Sequence, residues 1–161
     1  MKWFSIPRRD IKITQDSLEM GRYSFTLSEE LLSGICEQIV ELDKSIRFAG
    51  IANNMGSLVV TAYRQNLAPL MTKDETSQYA MQAVLRAATR EDFEINLGRL
   101  QYSMGKYEKL IRATLPILLN RDGDYESKFY LLLSFDVDSD AKSIIENKVL
   151  PYIENNKEIF S

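Results

Sequence analysis

The sequence predicts an α+β domain, a five-stranded antiparallel sheet with helices on both faces, in the order α-β-β-α-β-β-β-α. Three observations predict it. The stretch "IRFAGIANNMGSLVVTAYRQ", residues 46–65, is apolar, then a turn cluster, then apolar again, which reads as a hairpin. "IRFAGIA" and "KFYLLLSF" are small or apolar at odd and even positions alike, the pattern of central strands covered on both sides. The segments around them repeat apolar residues at helical spacing behind capping signals.

In chain order, residues 1–27 are the least regular, and "IKITQDSLEMGRYSFTL" has weak alternation that suits a short added strand or a packed arm. A domain over 28–161 follows. Thr26 or Ser28 is the expected N-cap of the first helix, with acids in its first turn. Leu31, Leu32, Ile35, Cys36, Ile39, Val40 and Leu42 form its apolar stripe. In the hairpin, Gly56 closes a turn that requires a positive φ. Thr72 and Glu75 have capping-box spacing, and the helix they open runs to Gly98 with Ala80, Val84, Ala87 and Ala88 as a small-residue face. Thr89 followed by Asp92 predicts a kink or restart near Arg90. "RLQYSM" (99–104), "YEKLIRATLPIL" and "KFYLLLSF" are the next strands, the last two parted by the turn-rich "NRDGDYES". Asp138 or Ser139 caps the closing helix, with Ile144, Ile145, Val149 and Ile153 inward and Pro151 weakening or kinking its last turns.

Two hairpin strands, a long crossover helix and a three-stranded meander, with a helix at each end, resemble the roadblock/longin group of the profilin-like fold over residues 28–156. "IRFAGI", "REDFEINLGRLQYSMGKYEK" and "LPYI" are also similar to small archaeal proteins of unassigned function. The resemblance implies the sheet order 2-1-5-4-3, with the first and last strands central. It also implies a non-enzymatic, homodimeric scaffold that engages a partner such as a small GTPase.

Composition narrows the rest. The 161 residues fit one domain, with net charge −3 and an apolar fraction of 45%. That charge is not the basic field of a duplex-DNA binder. A single cysteine excludes an intrachain disulfide and points to a reducing, cytoplasmic setting. The apolar runs are too short for a membrane span, and "MKWFSIPRR" lacks the apolar core of a signal peptide.

No motif carries chemistry. With no histidine and one cysteine, ordinary zinc sites and Ser or Cys catalytic pairs have no ligands or base. Cys36 lies on the apolar stripe and reads as a packing residue. Asp136, Asp138 and Asp140 alternate like half a calcium loop, but Ala141 stands where the loop needs glycine and Asn147 where it needs glutamate. Phosphate-binding glycine loops are absent. Glu75, Glu91, Asp92 and Glu94 suit helix first turns better than catalysis. No enzyme activity, metal or cofactor is expected.

The candidate surfaces are for macromolecules. "RLQYSM" is the expected sheet edge, and Arg99, Leu100, Gln101, Tyr102 and Met104, with Tyr79, Met81 and Leu85 of the preceding helix, are the expected dimer interface. Trp3, Phe4, Arg8 and Arg9 of the arm, and Tyr107, are candidate partner contacts. A PAS- or GAF-like small-molecule sensor is the alternative function; the leading helix and single crossover helix stand against it. A nucleic-acid-associated factor using the basic arm is a second alternative, disfavoured by the acidic charge.

Overall fold

Helix α1 (Ser17–Glu41) leads into the hairpin β1 (Ile46–Asn53) and β2 (Leu58–Tyr63). Helix α2 (Lys73–Glu91) and the short α3 (Glu94–Leu97) then cross to β3 (Ser103–Lys106), β4 (Leu110–Arg121) and β5 (Asp124–Asp136). The chain closes with α4 (Ala141–Ile144), a π-helical segment over Ile145–Val149, α5 (Leu150–Asn155) and a 3-10 turn at Lys157–Phe160. The computed structural model describes the backbone of residues 17–121 and 124–160, with side-chain surroundings for 29–118 and 129–160.

The five strands form one antiparallel sheet in the order β2-β1-β5-β4-β3, as expected. The two-sided apolar strands are its centre, with Ala49 opposite Leu133 and Ile51 opposite Leu131. On one face α1 and the C-terminal helix bury Leu32, Ile35, Ile39, Ile145 and Val149 against Ile46, Ile51, Leu115, Leu131 and Phe135. On the other face α2 sets Ala80, Ala83, Val84 and Ala87 against Phe48, Ala52, Tyr130 and Leu132. Three alanines bring this helix close to the sheet, and Ala83 replaces the expected Ala88, which is exposed.

Several boundaries differ from expectation. Helix α1 begins at Ser17, not at a cap on Thr26 or Ser28, and so runs across the boundary at residue 28. Leu18, Glu19 and Met20 are good helix formers that outweigh Gly21. The restart near Arg90 occurs as α3, but its N-cap is Phe93, and Thr89 Oγ1 donates backward to the Arg86 carbonyl instead of capping forward. The closing helix is capped by Asp140, whose side chain accepts from the Ser143 N–H, not by Asp138 or Ser139. β4 and β5 extend through most of "NRDGDYES", pairing as far as Arg121 and Asp124 around the Asp-Gly pair.

Prolines mark two local adjustments. Pro151 has no N–H to donate, and the helix widens to i→i+5 bonding directly before it. Pro116 lies in β4 beyond Thr114, the last residue paired with β3, where the missing N–H costs no ladder bond.

At Gly50, in β1, the Phe48 ring leans over the backbone and packs at 5.0 Å, tilted by 56°, on Tyr63 across the strand pair. A Cβ there would lie 2.7 Å from Phe48 Cζ. Gly50→Ala is expected to displace that ring and destabilise the domain by about 1–3 kcal/mol. Denaturant unfolding checks this, and an unchanged midpoint would mean that the ring has room to move.

Candidate functional site

The capping box sets the start of α2. Thr72 Oγ1 accepts from the Glu75 N–H at 3.2 Å and Glu75 Oε2 accepts from the Thr72 N–H at 2.8 Å. Gly56 then fixes how the helix lies. Its φ is +83°, and a Cβ on it would stand 2.8 Å from Met81 Cα, so the β1–β2 turn rests on the helix backbone. At the far end Tyr130 donates its hydroxyl to Glu91 at 3.1 Å.

At 100° per residue, Tyr79 and Arg86 occupy one flank of α2 and Met81 the other. The three helix residues expected at one interface are therefore divided. Tyr79 is turned toward β4, half-buried, with the Arg112 guanidinium 3.9 Å over its ring and Arg86 at 5.6 Å. Burial pushes the Tyr79 hydroxyl up, opposed by both arginines. Arg112 also donates to Met71 Sδ at 2.8 Å. Among the described residues neither Arg86 nor Arg112 has a carboxylate partner. Met81 and Leu85 are 59% and 65% exposed, on the side where Met55 of the β1–β2 turn is also exposed. Nothing in the strand of Arg112 signals that Tyr79, on a distant helix, lies over it.

The edge strand is shorter and later than expected. Residues 99–102 are not in β3. Gly98, at φ +78°, ends α3, and the Glu94 carboxylate accepts from the Leu100 N–H at 2.9 Å, drawing that segment toward the helix. Leu100 packs on the α2 side, whereas Tyr102 packs on the opposite face and donates its hydroxyl to Glu146 at 2.6 Å. Gln101 is exposed and Arg99 lies just after Gly98. Met104, 45% exposed, remains on the edge, and Gly105 and Lys106 belong to the strand rather than to its closing turn. The Tyr107 N–H donates to the Leu110 carbonyl at 2.8 Å, so in the alternating ladder Ser103 and Gly105 point inward to β4. Met104 and Lys106 then direct their N–H and C=O groups to an edge with which no strand among the described residues pairs.

Asp136 is held by arginines. Arg64 donates to both of its carboxylate oxygens at 2.8 and 3.1 Å, and Arg47 to one at 3.2 Å. Those bonds, Arg64's first, hold the Asp136 carboxyl below its usual range. Asp140 is engaged as a cap. Among the described residues no cluster of metal-ligating side chains occurs. Cys36 is fully buried, and burial pushes its thiol up to about 12. Trp3, Phe4, Arg8 and Arg9 lie outside the described residues. No helix among the described residues is long and apolar enough to cross a membrane.

No protein-family model matches the sequence, and no curated protein matches it. Solved structures do. MglB in a tetrameric arrangement superposes with a TM-score of 0.62 at 16% identity, over 82% of this chain and 89% of that one. The gliding protein MglB from Thermus thermophilus gives 0.58 at 16% identity, over 82% and 87%. A Roadblock/LC7 domain from Streptomyces avermitilis gives 0.59 at 10% identity, over 81% and 98%. The fold is of the roadblock/longin type.

Asp136→Asn should cost about 1 kcal/mol at neutral pH, the worth of a partly exposed bidentate pair. Because the folded carboxyl titrates lower than the unfolded one, this stabilisation is complete above about pH 4 and is lost as pH falls through the folded value. Thermal midpoints of the two proteins should therefore converge on acidification, and a constant gap would assign the cost to packing. Cys36 should resist a thiol reagent in the native protein and react once unfolded. Native labelling at the unfolded rate would mean that α1 opens readily.

Proposed function

We propose that the chain is a non-enzymatic interaction module that pairs with a second copy through β3 and offers a separate apolar patch to a protein partner. The observation that carries the pairing is the free edge of β3, where the Met104 and Lys106 backbone groups face outward. On the α2 side this strand carries only Ser103 and Gly105, so a two-fold mate can approach without a bulky side chain in the way. An isologous edge-to-edge contact would continue the sheet across two chains. The likeness to MglB in a tetrameric arrangement is consistent with assembly.

The patch of Met55, Met81 and Leu85 is on the other flank of α2 and belongs to the partner surface rather than to the pairing. Methionines adapt their shape to an apolar counterpart, which suits recognition of another protein. A small GTPase is the partner that the roadblock resemblance implies.

Met104→Pro tests the pairing. It removes an outward N–H that the intrachain ladder does not use, so the fold should persist while the dimer is lost. Sedimentation should give twice 18.5 kDa for the native chain and 18.5 kDa for the variant, with unchanged circular dichroism. Met81→Glu should leave the dimer intact. A native monomer at micromolar concentration, or a Met104→Pro dimer, would place the interface elsewhere.

A further inference from the structure

We propose that the pocket between α2, β4 and the 66–72 connection binds a small carboxylate with an apolar body. The cavity has a volume of about 460 Å³ and opens to solvent beside the β3–β4 turn. That is the size of sites that hold metabolite-sized ligands. Leu70, Met71, Tyr79, Tyr107 and Leu110 supply its walls, and Leu70 and Tyr107 are each 54% exposed. Such a surface matches the body of an aliphatic or aromatic acid.

Arg112 sets the charge of the ligand. It is half-buried in the wall, and among the described residues no carboxylate pairs with it. Its neighbours are the Tyr79 ring and Met71 Sδ, which attract a cation but do not neutralise it. A guanidinium presents five N–H donors in a planar fork, and a carboxylate accepts two of them side by side. Arg86, on the other contact to Tyr79, adds positive potential, as does Lys109 in the turn; Glu108 opposes it from an exposed position. The net local charge is positive in a chain whose overall charge is −3. An adjoining pocket of about 30 Å³ shares Leu70, Met71, Leu110 and Arg112 with this one, is bordered also by the buried hydroxyl residues Thr76 and Ser134, and has room for an ordered water. This site does not depend on pairing through β3.

Calorimetric titration of the full chain with phenylacetate and octanoate, against phenylacetamide and octanamide, tests the proposal. Both acids should bind, and each amide should bind at least about tenfold more weakly, because it lacks the charge that the fork recognises. Arg112→Gln should weaken the acids by at least about tenfold, with no change for the amides. Leu70→Trp, which fills the mouth and leaves Arg112 in place, should abolish binding of all four. If Arg112→Gln does not fold, the acid–amide difference and Leu70→Trp decide. Equal binding of acids and amides, undiminished binding by a folded Arg112→Gln, binding that survives Leu70→Trp, or no binding of the acids at millimolar concentration would each overturn it.

Discussion

The pairing of β1 with β5 is the constraint on which the architecture depends. It joins Ala49 to Leu133 and Ile51 to Leu131, residues that lie far apart in the chain and are all fully or almost fully buried. Each strand has apolar residues on both faces, which suits the centre of the sheet, where helices can cover both. Once the two are adjacent, β2 must lie outside β1, and β4 with β3 outside β5. Both faces of the central pair then need a cover, which the leading and closing helices supply on one side and α2 on the other.

That division of cover is unequal, and the function-bearing features follow from it. Two helices bury one face, whereas α2 alone lies over β1 and β5 on the other. A helix is about 10 Å wide, roughly two strands at 4.8 Å spacing, so α2, which also approaches β4, does not roof the whole of β4 and β3. The part of β4 it leaves open carries Arg112 rather than another leucine, and the part of β3 carries Ser103 and Gly105. Tyr79 leans from the helix flank to close some of the gap, and the remainder is the pocket.

Much of this was legible in the sequence, for local reasons. The capping box at Thr72, the positive φ at Gly56 and the two-sided apolar strands each declare themselves within a few residues. The bounds of the edge strand were not, because the alternation of "RLQYSM" is real but the Glu94 side chain and Gly98 claim its first half for the helix end. Asp136 illustrates the same limit. Its neighbours in sequence suggest an ion loop, while its neighbours in space are Arg47 of β1 and Arg64 just after β2, both far away in the chain. The α2 residues expected at one interface spread around the helix for a related reason. Tyr79, Met81 and Leu85 are close in sequence, yet the helical turn sends Tyr79 to the β4 side and Met81 to the β1–β2 turn.

Two kinds of arginine stand on this sheet. Arg47 and Arg64 meet a shared carboxylate across strand ends, and Arg64 spends its remaining reach on the Lys44 carbonyl at 2.8 Å. These bonds tie β1 and the end of β2 to the end of β5. Arg112 is treated differently, although it too lies on the sheet, directly opposite Ser134. A ring face attracts the cation through its quadrupole and accepts none of the in-plane N–H bonds. Packed on Tyr79, Arg112 makes one side-chain hydrogen bond among the described residues, to Met71 Sδ, whereas a structural ion pair would have engaged more of its donors. Anchoring β4 alone could have used a carboxylate, as Asp136 shows one row end away. Placing an aromatic ring there instead leaves a positioned charge with no carboxylate partner among the described residues, and fixed geometry with unspent hydrogen bonding is what recognition of an anion requires.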